Sequence, residues 1–246
     1  MRRALGAAGA AVRGYDFSAT AGDRIPASER MDTLSDALDG ADLVLSLVWA
    51  RTAAEAAEAA MPLLARDAVY ADLNTAARGV KERVAAIGDA HGIAVADVAV
   101  LAPVARAAER TPLLASGPGA ERFADAVRPF GVPVETLPGP AGDAAERKLL
   151  RSVFMKGMAA VVIEALEAAR AAGAEEWLHA QMAAEFGPDG AATVDHLVQG
   201  THRHAVRRER EVRDALAALD ADGRHADMTR AAVAWYERLA AASRPA

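Results

Sequence analysis

Leu43-Val44-Leu45-Ser46-Leu47-Val48 is the stretch that decides the fold. It is a short, nearly continuous apolar run, with Asp39-Gly40 before it and a charged, alanine-rich segment after it. A strand exposed on one face alternates apolar with polar residues. A run without that alternation marks a strand covered on both faces, the kind found in parallel sheets. Thr52 to Leu64 follows with helical spacing, placing Ala56, Ala60, Leu63 and Leu64 on one side. The same alternation then repeats: Val69 to Leu73 and Ile93 to Asp97 read as strands, with a helix from Ala77 to His91 between them, closed by Gly92. Leu113 to Gly117 and Val134 to Leu137 read as two more strands flanking a helix from Glu121 to Phe130. Upstream, Val12 to Asp16 reads as a strand ending in an acid, and Leu34 to Leu38 as a short helix. Strands separated by helices of about 10–15 residues imply crossover connections and a parallel, doubly wound α/β sheet.

After Gly139 no strand-like run remains. Helices are expected over Asp143–Ala172, Glu175–Phe186, Ala191–Gln199, His202–Leu219 and Ala226–Ala242. The expected organisation is an α/β domain over 1–138 and an all-α domain over 139–246. A long interdomain helix, which could span ~45 Å at its rise of 1.5 Å per residue, opens the second. Leu149, Leu150, Val153, Phe154, Met158, Val161, Val162, Ile163 and Leu166 spread apolar surface around most of its circumference, which predicts burial on nearly all sides and a homodimer.

Composition limits the function. The 246 residues, 52% hydrophobic and 25% charged, describe a globular protein with a core of normal size. A net charge of −6 and a pI near 5.6 imply no phosphate-neutralising face, so a nucleic-acid partner is not expected. The absence of cysteine excludes disulfides, thiolate catalysis and cysteine-ligated zinc, and fits a reducing, cytoplasmic setting. No apolar run reaches the ~20 residues of a membrane helix.

A doubly wound, Rossmann-like domain that binds a dinucleotide opens with a strand, a Gly-rich turn and a helix whose amino terminus faces the pyrophosphate. Arg3 to Ala11 reads instead as the tail of such a helix running into the strand that ends at Asp16. Gly6 and Gly9 follow no first strand. The expectation is a chain that starts about one strand and most of one helix late.

Candidate site residues follow from position. Asp16, at a strand end, suits the ribose hydroxyls of a dinucleotide and favours NAD over NADP; turn chemistry is the alternative. Leu47 and Val48 end the central strand, where a cofactor's nicotinamide half would pack, or they are plain core. Asn74 and Thr75 supply an amide and a hydroxyl at the carboxyl end of the next strand, or cap the helix that follows. Lys148 is one of three lysines in a chain that otherwise uses arginine, and follows the turn Gly139-Pro140-Ala141-Gly142. A lysine loses its proton on burial and an arginine does not, so Lys148 is the candidate amine for proton transfer. His204, Arg207 and Arg208 form a candidate anion patch for a substrate carboxylate or phosphate, or an ordinary solvated helix face. His202 and His204, two apart, point different ways, so no metal site is expected.

In order and spacing, Asp72-Leu73-Asn74-Thr75, Asp97-Val98-Ala99-Val100 with Leu113 to Gly117 downstream, and Gly139-x-x-Gly142-x5-Lys148 resemble the β-hydroxyacid dehydrogenases. That group includes 6-phosphogluconate and 3-hydroxyisobutyrate dehydrogenases. The run from Lys148 to Met158 and His204-Ala205-Val206-Arg207-Arg208 look like a branch with a 6-phosphogluconate dehydrogenase-like helical domain of unsettled substrate. The resemblance implies hydride transfer between NAD or NADP and a 2- or 3-hydroxy acid, with a lysine at the position of Lys148. Two departures stand out. Leu101-Ala102-Pro103 replaces the family's Ser-Gly-Gly, and Arg151-Ser152 replaces the asparagine expected one turn after the lysine. Both suggest a different grip on the substrate, with Arg151 as a possible anion clamp. The alternative is a non-catalytic dimeric scaffold unable to hold cofactor; imine reduction on the same architecture is a third reading.

Overall fold

The computed structural model describes residues 2–7, 9–18, 25–102 and 110–242. The chain divides into two compact units, Met1–Lys148 and Leu149–Ala246.

In the first unit, β1 (Leu43–Ser46), β2 (Val69–Asp72), β3 (Ala94–Val100), β4 (Leu113–Ser116) and β5 (Val134–Thr136) form one sheet in the spatial order β1-β2-β3-β4-β5. Neighbours are parallel except β3 and β4, which are antiparallel. The sheet is therefore mixed rather than wholly parallel. No reversal of strand order falls within it among the described residues.

Helices α1 (Arg2–Ala7) and α2 (Leu34–Leu38) precede the sheet; α3 (Ala53–Ala60) and α4 (Arg78–His91) connect β1 to β2 and β2 to β3. Their cores, including Ala57, Met61 and Val84, pack on the sheet face of Val44, Tyr70 and Val95. Helix α5 (Ala120–Val127) connects β4 to β5 and packs Phe123 and Val127 on the opposite face, against Val69, Ala71, Ala96 and Val98. The antiparallel step explains the change of face. Crossovers are right-handed. Once the strand direction has turned over, a right-handed crossover advancing the same way must lie on the other side. Both faces are thus covered, as the unalternating strands require.

Val12 to Asp16 is not a sheet strand. The described backbone there makes only an isolated parallel bridge, Gly14 with Arg30. Arg13 and Asp16 on either side are exposed and offer the sheet no apolar face to bury.

Helix α6 (Asp143–Ala171) begins in the first unit and continues into the second, which adds α7 (Glu175–Glu185), α8 (Gly190–Arg203), α9 (Ala205–Ala221) and α10 (Asp227–Ala242). Ala160, Ile163, Val212, Ala232, Val233, Trp235 and Tyr236 form one core cluster; Ala159, Val162, Leu166, Val194 and Leu197 form another. Helix α6 is less enclosed than its composition predicts. Leu150, Phe154 and Val161 stay exposed. At 100° per residue they fall within about 40° of one another, a single stripe. No described helix is long and apolar enough to cross a membrane.

Candidate active site

The first unit carries a row of polar side chains across one sheet face. Ser46, Asp72, Asp97 and Ser116 are successive partners in register across β1 to β4, and all four are buried. In-register residues point the same way, so the row lies on the face beneath α4 and the start of α6.

Lys81 of α4 fills the centre of this row. Its Nζ donates to the Asp72 main-chain carbonyl at 2.9 Å and lies 3.2 Å from Asp72 Oδ2 and 3.1 Å from Asp97 Oδ1. All three side chains are 1% exposed or less. Only the carbonyl contact is aligned as a hydrogen bond. The two carboxylate oxygens have no aligned donor and face the ammonium as ion-pair partners. Buried charges of this kind persist only when paired.

Each aspartate uses its other oxygen to position a backbone. Asp97 Oδ2 accepts from Gly142 N at 3.1 Å and Ala145 N at 2.9 Å, and Ser116 Oγ accepts from Ala144 N at 3.0 Å. The unpaired N–H groups opening α6 are therefore satisfied from the sheet, with a carboxylate at the positive end of the helix dipole. The turn that delivers them needs glycine. Gly139 and Gly142 have φ of 137° and 110°, and a Cβ on Gly142 would come within 2.8 Å of Arg78 Cγ. Arg78 at the start of α4 adds ion pairs to Asp143 at 3.0 Å and Glu146 at 2.7 Å.

Asp72 Oδ1 accepts from Asn74 N at 2.9 Å and Asn74 Nδ2 at 2.6 Å, and the same amide reaches Ser46 Oγ at 3.2 Å. Asn74 is thus buried and locked at the exit of β2. Neither it nor Thr75 caps α4, whose cap position is Ala77. Thr75 is exposed, and its Oγ1 accepts from Lys148 Nζ at 2.8 Å. Lys148, expected to be buried, is half-buried at the carboxyl edge of the sheet, beside the Asn74-Thr75 turn. Beyond β1, Leu47 is exposed and Val48 half-buried. Asp16 is exposed, and its Oδ1 accepts from Ser18 N at 2.8 Å, the turn chemistry. Pro103 lies outside the described residues.

In the second unit, Lys156 on α6 donates to Ser152 Oγ at 2.8 Å and pairs with Glu211 Oε2 at 2.7 Å. Burial pushes the Lys156 ammonium below its ordinary 10.5, Glu211 pulls it up, and Arg208 and Arg207 push it down again. Arg207 lies 3.7 Å from Glu211, and Arg208 donates to the buried Thr201 Oγ1 at 2.9 Å. His204, at the α8–α9 junction, is held below its ordinary 6.5 by desolvation and by Arg207, Arg203 and Arg208. Ser152, Arg207 and Arg208 therefore gather around one lysine–glutamate pair, while Arg151 stands exposed on α6. Among the described residues no group of three or more His, Asp or Glu side chains could hold a metal ion.

Sequence reasoning missed Lys81 and Lys156. The signal for Lys81 was present. It shares a helix face with Val84 and Gly88, where a lone cation must answer buried acids, and Asp97 interrupts an otherwise apolar strand.

Residues 169–239 match a family described as a domain of unknown function, DUF1932. A conserved hypothetical protein from Sinorhizobium meliloti 1021 is 30% identical, with a TM-score of 0.78 over 98% of this chain and 83% of that chain. A conserved protein of unknown function described as structurally similar to 3-hydroxyacid dehydrogenases is 24% identical, with a TM-score of 0.81 over 97% and 91%. The 3-hydroxyisobutyrate dehydrogenase of Mycobacterium tuberculosis, solved with L-serine, is 19% identical, with a TM-score of 0.82 over 97% and 88%. The chain thus shares its fold with 3-hydroxyacid and 3-hydroxyisobutyrate dehydrogenases, and carries the DUF1932 segment in its helical unit. The DUF1932 match takes in His204, Arg207, Arg208 and Glu211 but stops short of Lys156, so the cationic cluster straddles the edge of the family's helical segment.

Proposed function

We propose that this chain is an NAD(P)-dependent oxidoreductase that transfers hydride between nicotinamide, of NAD in preference to NADP, and a small 2- or 3-hydroxy acid. The observation that carries this reading is the Lys148–Thr75 pair, 2.8 Å apart just beyond the carboxyl end of β2. Ligands of open α/β sheets bind outside the carboxyl ends of the strands. The neighbouring residues suit the nicotinamide half of the cofactor. Leu47 and Val48 offer apolar surface for a ring face, and Thr75 offers a hydroxyl at its edge. Once bound, that ring accepts or supplies the hydride. Lys148 moves the other proton: its neutral amine takes the proton of the substrate hydroxyl during oxidation and returns it during reduction. Thr75 orients the amine. Asp16 is the candidate acid for the ribose hydroxyls, and within the second unit Arg151, Ser152, His204, Arg207 and Arg208 are the candidate anion-binding groups.

Calorimetric titration with NAD and NADP is the first test, followed by a spectrophotometric screen of small hydroxy acids and cyclic imines. With a substrate in hand, Lys148→Ala lowers kcat by about 10²-fold or more while cofactor affinity stays within about threefold. Unchanged turnover removes Lys148 from the chemistry. Failure of both nucleotides to bind favours the scaffold reading, and turnover of imines alone the reductase one.

The same reading includes a homodimer. The exposed stripe of Leu150, Phe154 and Val161 on α6 is the kind of contiguous apolar surface that marks an association face. Light scattering should find a dimer that Phe154→Glu converts to monomer with the helical content kept.

A further inference from the structure

We propose that Lys81 is a positioning residue: by bridging Asp72 to Asp97 it sets the spacing between the β2 exit turn, which carries Thr75, and the start of α6, which carries Lys148. Its functional weight rests on the role proposed for Lys148; its geometry does not.

Both ends of the Lys148–Thr75 contact trace back to Lys81. On one side, Lys81 holds the Asp72 main chain and side chain. Asp72 in turn holds Asn74 N and Nδ2, and Thr75 is the next residue. On the other side, Lys81 faces Asp97, whose second oxygen accepts from Gly142 N and Ala145 N. Lys148 lies three residues beyond Ala145, less than one helical turn along α6. Without the ammonium, two carboxylates on adjacent strands would face each other across the row with no cation between them. Like charges so placed repel or take up a proton, and either response alters what the aspartates hold. Lys81 itself is sealed from solvent, so no ligand reaches it and it acts only through these partners.

Why a lysine fills this place also follows from the geometry. The three acceptors converge on one point from two strands, matching the compact three-donor ammonium. The planar fork of an arginine would spread its donors over a wider front.

The experiment exploits the chain's three lysines. Protein grown with lysine carrying 13C at the ε position gives one signal per lysine, assigned by single substitutions. Thr75→Val removes the Lys148 contact directly and calibrates the shift of the Lys148 signal. Lys81→Met is expected to move the Lys148 signal in the same direction by at least half as much, with the Lys156 signal in place. A folded Lys81→Met protein whose Lys148 signal sits at the wild-type position overturns the proposal. If Lys81→Met displaces the Lys156 signal too, Asp72→Asn decides by the same criterion, since it keeps size and acceptor oxygen while removing a charge. Should Asp72→Asn also disturb Lys156, or leave Lys148 unmoved, the positioning role is lost. Turnover that survives Lys148→Ala would instead remove Lys148 from the chemistry and leave these shifts as they are.

Discussion

Lys81 in the sheet unit meets two aspartates and a backbone carbonyl with essentially no surface exposed, whereas Lys156 in the helical unit meets one glutamate and a serine and keeps 14% of its side chain in solvent. The acids differ as much as the lysines. Asp72 and Asp97 are fixed partners in strand register, each committed through its second oxygen to hold backbone or side chain elsewhere. Glu211 sits on a helix, one-third exposed, and is shared with Arg207. The first arrangement leaves the cation one position. The second leaves it a choice of partners and a path to water. A buried ion pair is by itself weak evidence for stability; what fixes this one is that each aspartate's second oxygen is committed to a neighbouring group.

The comparison breaks first at Lys81→Met. Removing the ammonium leaves two buried carboxylates unpaired, and the loss should be about 3–5 kcal/mol, read as a lower urea midpoint with an unchanged slope. Lys156→Met should cost about 1 kcal/mol or less, because Glu211 keeps Arg207 and some water. Equal losses for the two variants would show that neither burial of the lysine nor fixing of the acids by strand register separates the two sites.

These two sites also show where sequence reading succeeds. Leu43 to Ser46 reads as a strand because cover on both faces leaves successive apolar residues, although the apolar run carries on past the strand's end to Leu47, which is exposed. The spacing Gly139-x-x-Gly142-x5-Lys148 places Lys148 in the first turns of a helix because a glycine turn and the helix that follows it are local features. Lys81 escapes because its meaning lies in Asp72 and Asp97, on two strands separated from it by 9 and 16 residues. Arg78-Gly79-Val80-Lys81-Glu82-Arg83 reads as a charged helix start, and the one local cue that Lys81 points inward, its place on the face of Val84 and Gly88, is masked by its charged neighbours. Val12 to Asp16 fails for the opposite reason: its local pattern suits a strand, but among the described residues it has no row of partners beyond a single bridge. Exposure of Leu150, Phe154 and Val161 was equally illegible, since composition counts apolar residues without saying which neighbours cover them.

A pH series sharpens the contrast. The folded-state pKa of Lys156 is lowered below its ordinary 10.5, chiefly by burial. Between the two values the unfolded chain binds the proton that the folded chain has given up. Stability therefore rises with pH across that window, by at most ~1.4 kcal/mol per unit. Below the folded value the cost of the buried charge is fully present; above 10.5 it is gone. Wild type should gain stability relative to Lys156→Met as pH climbs from neutral toward 10, by about 1 kcal/mol or less. Glu211→Gln should widen the window, since Glu211 raises the Lys156 pKa. Unfolding curves at several pH values check both. A flat difference between wild type and Lys156→Met would mean that the helical site fixes its charge as rigidly as the sheet site does.

The smallest stability effect belongs to Thr75→Val, where the contact at stake is the one the proposed chemistry needs. Valine keeps the β-branched shape, so only the hydroxyl is lost. That hydroxyl accepts one hydrogen bond at an exposed position, where water replaces it readily. The stability change should be about 0.5 kcal/mol, near the floor of a denaturant measurement. Turnover on a found substrate should nonetheless fall about tenfold in kcat with little change in KM, because the amine loses the group that orients it without losing a substrate contact. If Thr75→Val destabilised the protein as much as Lys81→Met, Thr75 would belong to the framework that holds the site. The separation between a committed charge row beneath the sheet edge and an adjustable amine upon it would then collapse.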